Sequence, residues 1–275
     1  MKLKLLVVTY NARITDSPVI STALQDGFNP FDILVSDNST HAEDKKGNQE
    51  FCISRGMVYF DNQGNVGLSK AYNGVIESLK NTDYDALILF DQDTEAPKDY
   101  FEKVRTSLKD YPSVLVYAPY VESPFIYISP KKFDRYKIKH WVAMNQEPQY
   151  DLACINSGLV LRKEVFSIVG MYDPFLFLDF VDYEFFRRIQ KHHLPIKVLD
   201  VQLNQKFSGD SFSTREGDFR RYAIYVKDLR RYRKIHHIPY LYIEYILLRR
   251  CGQLIKHYHS LRLAMLYFNG IWKEM

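Results

Sequence analysis

Residues 86–94 read ALILFDQDT, an apolar run that ends abruptly at two carboxylates one residue apart. A short, continuous apolar run is typical of a strand that is covered on both faces of a parallel sheet. With strand geometry, Asp91 and Asp93 leave the same face, where their charges repel unless a cation lies nearby. A hard divalent ion such as Mg²⁺ or Mn²⁺ meets this need, whereas a turn with Asp93 as the cap of a helix near Pro97 is the simpler alternative.

Four further apolar runs end in polar or turn residues, at 3–8, 33–36, 57–60 and 114–118. Between them, apolar residues recur every three or four positions, as in residues 69–79, which predicts helices. After the irregular residues 119–155 the alternation resumes, with predicted elements at 155–162, 163–169, 181–192 and 196–201. This order predicts an α/β fold with a mostly parallel central sheet flanked by helices, followed by a helical extension from about residue 219.

Polar side chains follow the first three predicted strands at the point where each strand ends. These ends read VVTYN at 7–11, VSDNS at 35–39 and FDNQGNVG at 60–67. In open α/β sheets, ligands bind outside the carboxyl ends of the strands, so these ends and the Asp91/Asp93 pair predict one shared crevice. Gly64 and Gly67 allow turns or a close backbone approach, although glycines are also common in ordinary loops.

The pattern resembles the family 2 glycosyltransferases of the GT-A fold, most closely the bacterial rhamnosyltransferases and galactofuranosyltransferases that build surface polysaccharides. The resemblance runs in the family's order from Val7 to about Asp228. The segments that carry it are VVTYN, SDNS, NQGNVGLSKAYNGV, LFDQDT, INSGLVLRKEVF, DPFLFLDFVDYEFFRR and RRYAIYVKDLRR. It implies a Rossmann-like GT-A catalytic domain over residues 1–217, with a basic helical extension over 218–275.

For a donor nucleotide, the resemblance implies residues at the carboxyl ends of the first four strands. Thr9 and Tyr10 would line the base pocket, and Asp37 would hydrogen-bond the base. Asp91 would lie near the ribose and the metal, and Asp93 would ligate the metal ion, Mg²⁺ or Mn²⁺. The other nucleotide-binding residues that it implies are Asn11, Asn38, Asn62, Gly64, Asn65, Gly67 and Asn73.

The segment LDFVDYEFFRR holds the second group of candidate residues. Asp182 matches the family's catalytic base, which in an inverting transfer accepts the proton of the acceptor hydroxyl. A simpler interpretation is that Asp182 and Glu184 are charges at the N-terminus of a helix that offset its macrodipole, a role that suits Glu184. For contact with the donor sugar or the acceptor, the resemblance implies Ser157, Gly158, Asp179 and Glu184.

Three residues are implied near the diphosphate, namely Lys206, Arg221 and Tyr222. Relatives carry a histidine in an H-x-x-G element where this chain has NQKFSG, with Lys206 at the place of the histidine and Gln205 before it. A charged lysine does not ligate a metal, but it can screen a diphosphate as a point charge. With the histidine replaced, another group has to complete the coordination shell of the metal ion.

The net charge of +4 hides an asymmetry, because residues 218–275 carry 12 Lys and Arg against 4 Asp and Glu. Basic residues interleaved with aromatic ones are typical of contact with an anionic membrane surface, or of a helix packed on the domain with a solvated basic face. No RNA-binding signature accompanies them, so we expect no nucleic-acid partner.

Composition and cysteine spacing limit the cellular context. The three scattered cysteines, Cys52, Cys154 and Cys251, indicate neither disulfides nor a zinc site and fit a reducing cytoplasm. The N-terminal apolar run is too short for a signal sequence, and no later run is long enough to span a membrane. We therefore expect a cytoplasmic protein, with peripheral contact to the cytoplasmic face of the membrane through its tail.

The expected activity is a metal-dependent, inverting transfer of rhamnose or galactofuranose from a dTDP- or UDP-linked donor to a hydroxyl of a lipid-linked or growing surface polysaccharide. A nucleotidyltransferase also pairs acidic metal ligands with an α/β sheet, but TYNARITDSP lacks the glycine-rich phosphate loop of that class. A non-catalytic partner that binds nucleotide sugar or glycan is the other alternative. A dimer is the oligomeric state that we consider.

Overall fold

The computed structural model describes residues 1–124, 126–141, 147–205 and 214–260, together with Met265 and Tyr267. Its strands are β1 (Leu3–Thr9), β2 (Ile33–Asp37), β3 (Val58–Asp61), β4 (Ala86–Asp91), β5 (Thr94–Glu95), β6 (Val116–Glu122), β7 (Tyr127–Ser129), β8 (Lys131–Asp134), β9 (Lys137–His140), β10 (Leu152–Ala153), β11 (Leu159–Arg162) and β12 (Ile196–Gln205). Its helices are α1 (Pro18–Gln25), α2 (Ala42–Arg55), α3 (Leu68–Ser78), α4 (Tyr100–Asp110), α5 (Glu164–Val169), α6 (Val181–Lys191), α7 (Arg215–His236) and α8 (Tyr240–Tyr258).

The central sheet has the order β3-β2-β1-β4-β11-β6-β12-β5, with β7 beside β6, and β10-β8-β9 form a small second sheet. Strands β1 to β4 are parallel neighbours. In their register Thr9 pairs with Asp37, Asp37 pairs with Asp61, and Val8 pairs with Asp91. The polar ends of these four strands therefore lie side by side along one edge of the sheet.

One central strand runs against the expected direction. Strand β11 is antiparallel to both of its neighbours, β4 and β6. Because the chain leaves β6 at the carboxyl edge and forms β7 to β10 before β11, no crossover to the opposite edge intervenes, as a parallel strand would require. Residues 119–155, expected to be irregular, thus contain the end of β6, strand β7 and the small second sheet.

Both faces of the sheet are buried, which explains why β1 and β4 read as continuous apolar runs. On one face, Leu6 and Leu89 pack against α3, α5 and α6. On the other face, Val7 and Phe90 pack against α1 and α4. Because successive side chains of a strand point to opposite faces, each strand contributes alternate apolar residues to the two layers of helices.

The C-terminal helices α7 and α8 form a third apolar cluster against each other. Arg230 of α7 and Glu244 of α8 make a buried ion pair at 3.2 Å, and Tyr232 of α7 stacks on Phe180 just before α6. Pro239 separates the two helices as the sequence predicts, whereas Gly252 lies inside α8. Within the described residues, no helix has the length and apolar content needed to cross a membrane.

Candidate active site at the carboxyl edge of the sheet

Asp91 is the last residue of β4, and Asp93 lies in the turn that leads to β5. Burial raises the pKa of Asp91 to about 6, and the charge of Asp93 acts in the same direction. The Nε2 amide of Gln205 donates to Oδ2 of Asp91 at 2.8 Å, which partly opposes this rise. Asp93 lies in a turn, as the simpler alternative predicts, but its predicted role as a helix cap is wrong, because helix α4 has Asp99 at its N-cap and begins at Tyr100.

The chemistry of this carboxylate pair fits a divalent cation. A positive ion would relieve both the burial cost of Asp91 and its repulsion from Asp93. In the described part of the chain, no three His, Cys, Asp or Glu side chains are placed to share one ion. Mg²⁺ usually takes one or two carboxylates in proteins and completes its shell with substrate phosphates and water.

Gln92, between the two aspartates, joins the ends of β4 and β1. Its Oε1 accepts hydrogen bonds from Thr9 Oγ1 and from the Tyr10 backbone N–H, both at 2.8 Å. Thr9 is buried by this contact, whereas the side chain of Tyr10 is 47% exposed. Of the two residues predicted for a base pocket, Tyr10 therefore presents its ring to solvent and Thr9 supports it. Gln92 is a site residue that was not predicted from the sequence, although its place between two acids was a signal.

Asp37 is fully buried at the end of β2, and both of its oxygens accept hydrogen bonds. Oδ1 accepts from the Ser39 N–H at 2.7 Å, and Oδ2 accepts from Asn48 Nδ2 at 2.9 Å and from the Tyr59 hydroxyl at 3.0 Å. Asp37 therefore orders the β2–α2 loop, and its contact with a base stays a prediction. Asn48 and Tyr59 were missed because their link to Asp37 is tertiary.

Three predicted asparagines order the loops at this edge. Asn11 Oδ1 accepts from the backbone N–H of Thr40 at 2.7 Å, just before α2. Asn62 Nδ2 donates to Asn38 Oδ1 at 3.0 Å, and Asn38 Nδ2 donates to the carbonyl of Gly67 at 3.4 Å. The loops after β1, β2 and β3 are thus tied together.

The loop before α3 depends on a close approach at Gly67. This residue has φ +85°, and a Cβ there would lie 2.6 Å from the ring of Phe177. Asn65 Oδ1 accepts from the Gly67 N–H at 3.1 Å, while Gly64, at φ +129°, has open space around its Cβ position. Asn73, within α3, forms two hydrogen bonds with the backbone of Tyr172, at 2.8 and 2.9 Å. Gly67 and Asn73 thus join α3 to the segment before α6.

Ser157 and Gly158 lie beside the end of β4. Ser157 Oγ accepts from the Asp91 N–H at 3.3 Å and lies 2.6 Å from Thr94 Oγ1. Gly158 has φ +75°, and a Cβ there would lie 2.3 Å from Leu203 and 2.6 Å from Pro119. Ser157 therefore supports the Asp91 turn, and Gly158 lets β11 enter the sheet. Their contact with a sugar stays a prediction.

Asp182 lies in the first turn of α6 and is electrostatically linked to the Asp91 site. Burial raises the pKa of Asp182 to about 7, and the charges of Asp91 and Asp179 act in the same direction, against a hydrogen bond from the Tyr183 N–H. Lys131 lies near enough to Asp182 for the carboxylate to raise its pKa, although burial lowers it by more. The structure thus brings Asp91, Asp179 and Asp182 into one neighbourhood, with a lysine that the sequence analysis did not place there.

The loop that leads to α6 is fixed from the C-terminal helix α7. The buried carboxylate of Asp228 accepts from three successive backbone amides, at 3.1 Å from Phe177, 2.8 Å from Leu178 and 2.9 Å from Asp179. Asp179 in turn forms a two-point ion pair with Arg221, which includes an Nη2–Oδ1 contact of 2.8 Å. Helix α7 is therefore part of the support of this site, and Arg221 reaches it through Asp179.

Three predicted residues remain. Glu184 is buried and pairs with Arg188 at 2.7 and 2.8 Å, within α6. Tyr222 is buried between α7 and α8, where its hydroxyl donates to the carbonyl of Leu247 at 2.9 Å. Lys206 lies outside the described residues. A role for these three at a sugar or a diphosphate stays a prediction.

A family model described as glycosyl transferase family 2 matches residues 5–168 of the chain. The dTDP-rhamnosyl transferase RfbF of Shigella flexneri is 27% identical over 207 residues, which cover 72% of this chain and 66% of that protein. The chain thus spans just under two thirds of the length of this curated relative.

Solved structures share the fold at low sequence identity. The structure of GalNAc-T7 with UDP, GalNAc and Mn²⁺ matches with a TM-score of 0.61 and 13% identity, over 94% of this chain and 58% of that chain. The mannosyltransferase PcManGT from Pyrobaculum calidifontis, in complex with GDP-Man and Mn²⁺, matches with a TM-score of 0.54 and 12% identity, over 98% and 79%. These similarities confirm the predicted GT-A fold. With more than half of its length matched by the family model, this chain belongs to glycosyl transferase family 2.

Proposed function

We propose that this protein is a metal-dependent, inverting glycosyltransferase that moves a sugar from a nucleoside diphosphate donor to a hydroxyl of a lipid-linked or growing surface polysaccharide. The observation that carries the proposal is the electrostatic effect of Asp91 on the buried Asp182. One carboxylate with a pKa of about 7 is thus coupled to the strand end whose two carboxylates suit a cation and a diphosphate. Family membership supports the same reaction class.

In this reaction Asp182, ionised, accepts the proton of the acceptor hydroxyl while the hydroxyl oxygen attacks the anomeric carbon. The bond from that carbon to the diphosphate oxygen breaks on the opposite side, so the configuration inverts and a nucleoside diphosphate leaves. Asp91 and Asp93 would hold Mg²⁺ or Mn²⁺, which neutralises charge on the leaving diphosphate. The transition state has oxocarbenium-like character, so its free energy depends on this charge balance.

For the donor, we favour dTDP-rhamnose, because the curated relative is named as a dTDP-rhamnosyl transferase. UDP-galactofuranose is the second donor to test. The exposed ring of Tyr10 supports stacking on a base at the carboxyl edge. The buried Thr9 and Asp37 would hold the loops around that base through their own hydrogen bonds.

The test is donor turnover by the purified protein with dTDP-rhamnose or UDP-galactofuranose, in Mn²⁺, Mg²⁺ or EDTA. We expect release of the nucleoside diphosphate with the divalent ion and product of inverted anomeric configuration by NMR. Asp182→Asn should abolish transfer while keeping donor-dependent thermal protection. Protection by donor without transfer to any acceptor would favour a non-catalytic binding protein. Exchange of a nucleoside triphosphate with a sugar phosphate would favour a nucleotidyltransferase.

We also propose that the protein works in the cytoplasm, at the cytoplasmic face of the membrane, where a lipid-linked acceptor would be presented. The support is on α8, where Leu241, Tyr245 and Leu248 are 81%, 63% and 51% exposed at helical spacing. Arg249 and Lys256 lie further along the same helix, so apolar and basic groups suit a shallow contact with an anionic surface. Vesicle co-sedimentation tests this contact, and light scattering tests a dimer.

A further inference from the structure

A pocket of about 350 Å³ opens where the β8–β9 turn, helix α6 and the α7–α8 turn meet. Four basic side chains, Arg135, Arg187, His236 and His237, line it beside aromatic and apolar neighbours, and no acidic residue is part of the lining. Arg187 lies five residues beyond Asp182 on α6, so the pocket and the candidate active site share a helix. None of these four residues was a candidate in the sequence analysis.

The guanidinium of Arg187 is held by neutral groups. It donates to the carbonyl of Arg135 at 2.5 Å and to the Tyr232 hydroxyl at 3.2 Å, and it lies 3.9 Å from the ring centre of Phe133. A third bond, at 3.3 Å, goes to the side-chain oxygen of Gln190. These contacts fix the orientation of the group without neutralising its charge.

The carboxylates closest along the chain are committed to other cations. Asp134, next to Arg135, pairs with Lys139, and Glu184 pairs with Arg188. Across the parts of the chain that the structure describes, no ion pair is formed by Arg135 or Arg187. The two arginines of the pocket therefore have no ion-pair partner in the described residues, although Asp134 acts on Arg135 and Asp173 acts on His236 at longer range.

His236 responds to this charge. Its pKa falls to about 4, first because the ring is desolvated and then because of the charges of Arg187, Arg188 and His237. Its Nε2 atom is buried and has no hydrogen-bond partner in the described structure. An anion in the pocket would offset the positive potential, and a phosphate oxygen that carries a proton could donate to a neutral imidazole nitrogen.

Helix α8 begins beside the pocket. Its N-cap, Pro239, is a lining residue and gives no side-chain acceptor to the first-turn amides. Those amides add a positive partial charge at the start of a 19-residue helix. Arginine forks and a helix N-terminus are together the groups that proteins use to bind phosphate.

We propose that this basic pocket binds a phosphate or diphosphate ester, as a site separate from the donor nucleotide site. The proposal goes beyond the proposed function, since it needs no assumption about the sugar or the transfer. Two sources share this chemistry: a lipid phosphate at a membrane surface and a soluble phosphate ester. Leu241 is exposed two residues after Pro239, so a phosphate in the pocket could carry an acyl or isoprenoid chain toward an apolar surface.

The experiment uses the full chain in EDTA, which removes metal-dependent binding of pyrophosphate at the donor site. Sodium pyrophosphate is titrated by calorimetry and by thermal shift. The test variant is Arg135→Asn/His237→Asn, since both positions have φ near +50° and asparagine tolerates that conformation. Lys132→Gln, which removes a charge from the exposed side of the same hairpin, is the matched control. We expect at least tenfold weaker binding in the double variant and wild-type binding in the control and in Asp93→Asn.

Vesicles of phosphatidylcholine, with or without phosphatidic acid, separate the two sources. Binding of phosphatidic acid vesicles that is lost in the double variant identifies a lipid phosphate, and pyrophosphate binding without vesicle binding identifies a soluble ester. The proposal is overturned if pyrophosphate does not bind in EDTA, or if the double variant and Lys132→Gln lose binding equally. Because no donor or acceptor is present, neither result depends on glycosyl transfer.

Discussion

Gln205 and Asp91 connect the last residues of β12 and β4 through a hydrogen bond of 2.8 Å between Nε2 and Oδ2. The amide lowers the pKa of Asp91 against the effects of burial and of Asp93, and it does so without adding a positive charge. The hydrogen bond therefore favours the ionised form of Asp91, which is the form that a cation would bind. The sequence departs from the H-x-x-G element at Lys206, which lies outside the described residues, and the residue before it, Gln205, is a neutral donor to Asp91.

Gln205→Glu replaces that donor with a third carboxylate of the same size. We expect the metal-free variant to lose roughly 2 kcal/mol of unfolding free energy, because a buried hydrogen bond to a charged group is replaced by repulsion. Mn²⁺ should then raise its Tm by more than it raises that of the wild type, since three carboxylates bind a cation more tightly. Differential scanning calorimetry with Mn²⁺ or EDTA measures both effects.

Asn204→Asp is the matched control, because it introduces the same charge one residue earlier on an exposed side chain of β12. It should change neither the metal-free Tm nor the response to Mn²⁺. An equal Mn²⁺ response in Gln205→Glu and Asn204→Asp would contradict a cation site at Asp91.

The pH dependence of transfer should follow Asp182. Its pKa is about 7, raised by burial and by Asp91 and Asp179, so the ionised base is lost as the pH falls through 7. We expect kcat/KM to fall about tenfold per pH unit below that value. Lys131 is the cation that lies near this carboxylate. The profile should be that of kcat/KM for the acceptor, measured at a donor concentration that saturates the enzyme at each pH. A flat profile from pH 8 down to pH 5.5 would rule out Asp182 as the base.

The same raised pKa predicts a gain of stability on removal of the charge. The carboxyl of Asp182 titrates near 7 when folded against a reference value of 3.8, so the folded state binds more protons between these values. Stability therefore falls as the pH rises from about 4 to about 7, and the full penalty is present above pH 7. Asp182→Asn should raise the unfolding free energy at pH 8 by about 1–3 kcal/mol, with little gain at pH 4.

Urea unfolding at both pH values measures this gain. Asp200→Asn removes a carboxylate from an exposed position of β12 and should leave stability unchanged at either pH. A loss of stability in Asp182→Asn at pH 8 would show that the carboxylate is compensated in the folded chain.

The parts of the fold that depend on local pattern were predictable. The runs at β1, β2 and β4 ended within a residue of their predicted limits, because burial on both faces leaves an uninterrupted apolar signal. The direction of β11 was not predictable, because it depends on which edge the chain occupies after β6. Residues 119–155 hid short strands that pair mainly with one another, and such pairing leaves little trace in composition.

The candidate site also contains residues that were predictable from sequence and residues that only the tertiary structure brings to it. Asp91 and Asp182 were found from sequence because strand ends and helix starts carry recognisable acids. The hydrogen bonds of Gln92 and Gln205 were not predictable, because the partner of each glutamine lies on another strand of the sheet. Asp228 lies about 50 residues from the amides that it binds, and only the packing of α7 against the 177–179 loop gives it a role.

Asp228 should therefore act as a positioning residue for the loop that carries Asp179 and leads to Asp182. Asp228→Ala leaves three buried amides without an acceptor and should lower the unfolding free energy by about 3 kcal/mol. Asp228→Asn keeps one acceptor oxygen and should lower it by less. In Asp228→Asn we expect kcat to fall about tenfold with a smaller change in the donor KM, because the three amides lead to Asp179 and Asp182, whereas the donor-side loop meets this segment only at Phe177 among the contacts described above. Lys227→Gln, at the exposed neighbouring position, is the control for charge on α7. A fall in stability with wild-type kcat in Asp228→Asn would limit Asp228 to folding.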